Sequence, residues 1–384
     1  MPHMHAFSDL RAILVKEGGG EKAQDLYLGE AERPTLKEGD GRVIVKVRYS
    51  IRAQRAVWAE RAVLRCPKLT FTSIFRLRLC ALHQIKAFGL NRMDIMQRQG
   101  KYPLPPGTSP IIGVEFSGTI SEVGSSSFKV GEAVFGLATG GAYAEYISVP
   151  ASMVVHKPEH VSWVQAAAVP ENWLTAHQAL FKIAEMQPGQ SVLVHAGASG
   201  VGLAAIQLAK AFGAELVIAT VGTDDKVKFV EQHGAKGINY KTQNFADEVA
   251  KLTSNQGVNV VIDFVGQSYW AKNLQSLARD GRMVLLGLLS GAKTQDPLDL
   301  SLLLYKRLRI EGTTLRSRSL EYQGELLQEF SSKALDKVFA KCAGGDGLDL
   351  VIHKVYDWKD IVDAHLEMEQ AKNTGKIVMT IGDV

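Results

Sequence analysis

The chain has 384 residues, 46% hydrophobic and 22% charged, with 36 glycines. That is room for two hydrophobic cores and the composition of an ordinary folded α/β protein, not of a disordered or fibrous one. The formal charge is only +4, and Cys66, Cys80 and Cys342 lack paired or metal-ligand spacing, which argues against a disulfide framework.

Alternation over 12–16 and 43–47 predicts strands, with polar turns containing Pro34, Gly39 and Gly41 between them. A Gly- and Pro-rich stretch runs from 101 to 118. Short β-branched segments follow to Val149, punctuated by Gly124, Gly131, Gly136, Gly140 and Gly141. This texture predicts a compact, mostly β unit with tight turns. The rhythm changes near Val169. Helices are predicted over 173–181, 202–212, 225–233 and 268–277, and strands over 191–194, 215–220, 237–240, 258–264 and 282–287. Strands alternating with helices of ten or so residues predict a parallel sheet with helices on both faces. Residues 309–314 read either as its sixth strand or as the return into the first unit. The tail carries helical 320–342 and 358–372 and a closing strand over 376–381, too short to stand alone and expected to rejoin the N-terminal β unit. The longest apolar runs, such as 283–289, are strand-length, far short of the roughly 20 residues needed to cross a bilayer. Residues 1–11 lack an apolar signal core, so the cytoplasm is the expected compartment, with no membrane and no nucleic acid as partner.

One segment breaks the pattern. Residues 49–84 contain no Gly or Asp, and carry Arg52, Arg55, Arg61, Arg65, Lys68, Arg76 and Arg78 against Glu60 alone. Without them the chain's charge falls from +4 to −2. A basic arm for nucleic acid or acidic membrane is one reading. An insertion with no evolved role in the fold, such as translated intervening sequence, is the favoured one. It falls inside a core strand pattern and not at a loop tip, where insertions are best tolerated. Joining Arg48 to Ile85 is therefore expected to give more soluble, more stable and more active protein.

The sharpest signal lies between Ser191 and Lys210. An apolar strand enters a glycine turn containing Gly197, Ser199, Gly200, Val201 and Gly202, and an apolar helix leaves it. Such a turn lets backbone approach a pyrophosphate, and the new helix offers it unpaired N–H groups and a positive dipole end. The match to G-x-G-x-x-G is imperfect because Ser199 stands at the central glycine, but the strand–turn–helix context supports it. A hydrolase nucleophile elbow at Ser199 is excluded by Val201, which occupies the place of an obligatory glycine. The next strand runs into Val221, Gly222 and Thr223 with no acid at its tip, where NAD-specific sites place one for the ribose diol. With Lys226 nearby to make a charge-assisted contact to a 2′-phosphate, NADPH is the expected cofactor. Asp224 and Asp225 count against this unless they point away along the helix start, where negative charge suits the dipole.

Zinc would require converging Cys, His or carboxylates. The ten histidines are scattered, and His195 reads as a strand residue. With no evident metal or nucleophile, hydride transfer is the reaction needing fewest side chains, because the cofactor carries the chemistry.

Six stretches then carry a resemblance. They are 86–102, with Asn91, Asp94 and Tyr102; 113–118, with Glu115; 169–176, with Glu171 and Thr175; 195–202; 263–270; and 373–378. They resemble the medium-chain dehydrogenase/reductase superfamily, in its zinc-free quinone oxidoreductase branch that includes zeta-crystallin, and look most like the p53-inducible quinone oxidoreductase type. The resemblance implies an α/β chain: a GroES-like β-rich catalytic domain over 11–167 and 308–384, and a doubly wound Rossmann NADP(H)-binding domain with a parallel sheet over 168–307. It implies an active site in the cleft between them and a homodimer. Asn91 matches the asparagine near the nicotinamide, where zinc-dependent relatives place a metal-binding cysteine, and Val114 stands where they have a histidine. Thr175 matches a threonine of the cofactor channel. Thr223, Lys226 and Tyr240 match the 2′-phosphate pocket, Gly287, Leu288 and Leu289 the loop beside the nicotinamide, and Asn373 a cofactor contact from the tail. Tyr102 matches a tyrosine facing the substrate, either as proton or hydrogen-bond donor or as aromatic packing at the cleft lip. The expected reaction is NADPH-dependent, metal-independent reduction of quinones or activated enones. An alkenal double-bond reductase and a non-catalytic, cofactor-binding interaction protein remain as alternatives.

Overall fold

In the computed structural model, residues 10–34, 42–46, 84–124, 126–293 and 300–382 are described. The 49–84 segment lies outside them except for Gln84. Strand alternation near the N-terminus produces a hairpin, β1 (Leu10–Val15) with β2 (Leu26–Ala31), in antiparallel register. The eight-stranded sheet begins with β3 (Arg42–Lys46) and β4 (Gln84–Leu90). Helix α1 (Arg92–Arg98) follows, then β5 (Glu115–Val123), β6 (Ala133–Leu137), β7 (Tyr146–Pro150) and β8 (Val154–His156). Both β3 and β4 pair antiparallel with β5. Val45 stands opposite Ile120, Gln84 opposite Thr119 and Ile85 opposite Gly118, so the two strands meet end to end along one neighbour. Phe88, Phe116, Phe135 and Tyr143 are fully buried within this unit, and the Phe88 and Tyr143 ring centroids are 4.6 Å apart.

Short α2 (Trp163–Ala167) and α3 (Pro170–His177) lead into the second domain. Its strands are β9 (Ser191–Val194), β10 (Leu216–Val221), β11 (Lys236–Asn239), β12 (Val258–Asp263), β13 (Leu277–Leu285) and β14 (Arg309–Gly312). The intervening helices are α4 (Gly200–Ala211), α5 (Asp224–Gln232), α6 (Phe245–Leu252), α7 (Trp270–Ser276) and α8 (Ser301–Tyr305). All six strands are parallel in the order β11-β10-β9-β12-β13-β14. That is the doubly wound order of dinucleotide-binding sheets, whose strand order reverses between β9 and β12. The alternative left open for 309–314 is thereby resolved: β14 is the sixth strand, and the parallel sheet extends past the boundary expected at 307.

The tail contains α9 (Leu320–Phe330), α10 (Asp336–Phe339), β15 (Ile352–Asp357), α11 (Ile361–Glu369) and β16 (Lys376–Thr380). Strand β16 pairs antiparallel with β4, Val378 opposite Gly89, so the tail does rejoin the N-terminal β unit. Gly375 N donates to Ala198 O at 3.0 Å, which presses the start of β16 against the glycine turn of the second domain. Among the described residues no helix is long and apolar enough to cross a membrane.

Candidate active site

Strand β9 ends at the point where the sheet order reverses, the usual position of a ligand crevice in an open α/β sheet. The turn after it is tight: Ala196 has φ +48°, and a Cβ on Gly202 would lie 2.4 Å from Ala196 O. On Gly197 it would lie 2.7 Å from the Ala219 methyl of β10. Ser199, the departure from the glycine pattern, is the N-cap of α4, and its Oγ accepts from Gly202 N at 3.1 Å. The amides of Gly200 and Val201, in the first helical turn, have no intrahelical acceptor and, with the dipole behind them, are donors suited to an anion. A pyrophosphate fits this arrangement.

The tip of β10 gathers the next set. Thr223 is the N-cap of α5, accepting from Lys226 N at 3.3 Å. A Cβ on Gly222 would lie 3.1 Å from Tyr240 Oη, which brings Tyr240 beside the turn that Thr223 caps. Lys226 Nζ reaches Ala371 O at 3.0 Å and Asn373 O at 3.2 Å, which brings Asn373 into the same group. Burial and the neighbouring Lys241 hold the Lys226 ammonium below the usual lysine range. Asp224 accepts from Asn239 Nδ2 at 2.6 Å and is thereby tied off beside the helix start. Leu288 and Leu289 project from the loop after β13, about half exposed, and Leu289 N donates to Phe264 O at 3.1 Å. A Cβ on Gly287 would lie 3.0 Å from that same carbonyl. Thr175 sits on α3, half-buried, one turn beyond Glu171 and Asn172.

Asn91 is the buried N-cap of α1 and the hub of a polar knot. Its Nδ2 donates to Glu115 Oε1 at 2.7 Å and its Oδ1 accepts from Lys376 Nζ at 2.6 Å. Lys376 also forms a salt bridge with Glu115, whose second oxygen accepts from Glu171 N at 2.8 Å. Lys376 Nζ further lies 3.5 Å from Asn172 Oδ1, and the Asn172 amide packs so closely on Gly200 that a Cβ there would lie 2.0 Å from its nitrogen. The knot thus runs from the glycine turn of one domain to the floor of the other. Lys376, Glu115 and Asn172 were not among the residues expected to act. Their signal was Gly89 inside a strand, where a Cβ would lie 2.2 Å from Glu115 Oε1, since an interior strand glycine often marks close approach.

Two acids border the knot. Burial pushes Asp94 up to about 7, although Asn91 N and Tyr143 Oη donate to it at 2.8 and 3.1 Å. Burial, then repulsion from Glu115, pushes Glu171 up to about 8. Tyr102 lies half-buried beside Arg316, whose guanidinium carbon is 5.5 Å from the ring centroid, and burial raises its phenol above the ordinary value. His195 is a core residue, as expected: its ring nitrogens meet Thr220 Oγ1 at 2.9 Å and Asn273 Oδ1 at 2.7 Å, and burial lowers it to about 4.

Two family profiles match the chain, "Alcohol dehydrogenase GroES-like domain" over residues 81–159 and "Zinc-binding dehydrogenase" over 200–332. The quinone oxidoreductase of Pseudomonas aeruginosa is 36% identical over 77% of this chain and 89% of its own length. The quinone oxidoreductase-like protein 2 of Mus musculus is 35% identical over 76% of this chain and 82% of its own. The chain belongs to the medium-chain dehydrogenase/reductase superfamily. It is an oxidoreductase of that type, with quinone oxidoreductases among its homologues. A mycobacterial protein solved in complex with NADPH superposes with a TM-score of 0.71 at 28% identity, covering 97% of this chain and 99% of that one. The superfamily fold and this likeness support a nicotinamide cofactor.

Proposed function

We propose that the chain reduces quinones or activated enones with NADPH, without a metal at the reaction centre. The observation that carries this reading is Lys376. Its ammonium lies between Glu115 and Asn91, so the protein's own cation engages the oxygens at the position where zinc-dependent relatives assemble metal ligands. Asn91 and Val114 supply neither thiolate nor imidazole there.

When bound, the reduced nicotinamide supplies the hydride. The chain binds and orients. Gly200 and Val201 amides hold the pyrophosphate, with Gly197, Ser199 and Gly202 shaping the turn. Thr223, Lys226 and Tyr240 take the 2′-phosphate, with Asn373 fixed beside them through Lys226. Gly287, Leu288 and Leu289 border the nicotinamide, and Thr175 lines its channel. Asn91, held at both ends of its amide, fixes the floor beneath it. Tyr102 and Glu171 both keep their protons at neutral pH, so either can return one to the reduced substrate.

Steady-state oxidation of NADPH and NADH with a panel of quinones and enones, after exhaustive chelation, tests this reading. Turnover should survive chelation; its abolition overturns the metal-free reaction. Lys226→Glu should weaken NADPH binding about tenfold to a hundredfold, the loss of one charged hydrogen bond, and affect NADH much less. Equal losses for both cofactors would show that Lys226 does not read the phosphate. Failure to bind either dinucleotide would favour a non-catalytic interaction protein.

A further inference from the structure

We infer that Arg316 is the group that receives the carbonyl or phenolate oxygen of the substrate, an assignment that rests on the proposed reductase reading. Arg316 follows β14, and only 3% of its surface is exposed. Two edges of its guanidinium are tethered to the catalytic domain: Nε donates to Thr139 O and Nη1 to Gln97 Oε1, both at 2.7 Å. The third edge has no acceptor; buried Nη2 is without a hydrogen-bond partner among the described residues. Gly140 leaves room for it, since a Cβ there would lie 3.2 Å from Nη2.

A buried guanidinium with an unmet N–H is unfavourable unless something accepts from it. This fold satisfies such groups when their task is structural. Arg98, buried on α1, donates through Nε to Gly20 O, meets His365 through Nη1, and pairs with Glu369 through Nη2. Among the described residues Arg316 forms no salt bridge with a carboxylate. The acids that act on it through charge, Asp94 and Glu171, are held largely or partly neutral by burial. The guanidinium also faces the ring of Tyr102, and Tyr102 and Asn91 flank α1 at opposite ends. A positive, preorganised donor fixed on two sides and without an acceptor on the third, beside a phenol, suits a planar ligand oxygen that bears or acquires negative charge.

The test reads binding, using 4-nitrophenolate as a mimic of a reduced quinone oxygen. Titration into the protein saturated with NADP⁺ should show that Arg316→Met binds the phenolate at least about tenfold more weakly than the wild type, while NADP⁺ affinity is unchanged. Arg316→Lys should fall between them. Unchanged phenolate affinity in Arg316→Met overturns the assignment. If that variant does not fold, the wild type decides: phenolate should shift one arginine side-chain resonance in ¹⁵N-labelled protein, and a spectrum in which none moves overturns it. The two proposals fail separately. Phenolate held by Arg316 with no quinone or enone turnover leaves the oxygen site standing and sinks the reaction. Turnover with phenolate binding indifferent to Arg316 does the reverse.

Discussion

Gly89 lies mid-strand because the Glu115 carboxylate and the Lys376 stem fill the space a side chain would take; a Cβ would come within 2.6 Å of Lys376 Cε. Around this ion pair, burial keeps the carboxyls of Asp94 and Glu171 neutral towards pH values of about 7 and about 8. In the unfolded chain both ionise near pH 4, so between there and pH 8 the folded state binds more protons and stability falls as pH rises. His195 and His365 act on the other side, since burial lowers them to about 4 and about 3. Their contribution is present above the ordinary histidine value and is lost as pH falls through those lowered values. Melting temperature should therefore peak in mildly acidic buffer, and Asp94→Asn should flatten the alkaline decline by several degrees. A variant whose alkaline decline equals the wild type's would show that Asp94 is ionised throughout. At this scale the glycine turn was legible because all its requirements are local. The knot was not: Asn91 and Lys376 are 285 positions apart and meet only when the tail pairs with β4. Arg316 was hidden for the same reason, since both its tethers lie on other elements.

Elements read well where pattern and length agree. The alternation of β9 through β13 with α4, α5 and α7 was visible, with boundaries displaced by a few residues, whereas α6 was not read as a helix. Strand β2 was missed because Gly29 interrupts its alternation and its outer residues Tyr27 and Leu28 are exposed. Strand β15 carries His353, Lys354 and Asp357, too polar to stand out before its parallel neighbour β16 is known. Among the described residues β14 ends the parallel sheet, with no strand on its outer side. Beside it, α8 shows Leu304 and Tyr305 about 70% exposed. We expect two copies to pair edge to edge through β14 about a two-fold axis, covering these side chains. Sedimentation should give a dimer at micromolar concentration, and Leu304→Glu should shift it towards monomer. A wild type that sediments as a monomer would refute the pairing.

For the whole molecule, the two-domain plan was legible from the change of rhythm near Val169, and the sheet itself moved the second domain's end beyond residue 307. The segment 49–84 was legible only as a break in composition. The strands on either side now define that break. Lys46 and Gln84 stand level with one another, Val45 precedes them opposite Ile120, and Ile85 follows opposite Gly118. The register therefore closes when Lys46 is followed directly by Ile85, a junction two residues tighter than Arg48 to Ile85. A protein lacking 47–84 should melt higher and be more soluble than the full chain, and oxidise NADPH faster. An intact chain as stable as the shortened form, from which a specific partner or activity disappears on shortening, would make the segment functional. In the language of the message rather than the fold, the sheet behaves as a join between two coding blocks. Removing the stretch takes out whole codons, so the sequence downstream of it is unchanged. One gene could therefore yield both lengths, and sequencing its native transcripts would show which of them the cell makes.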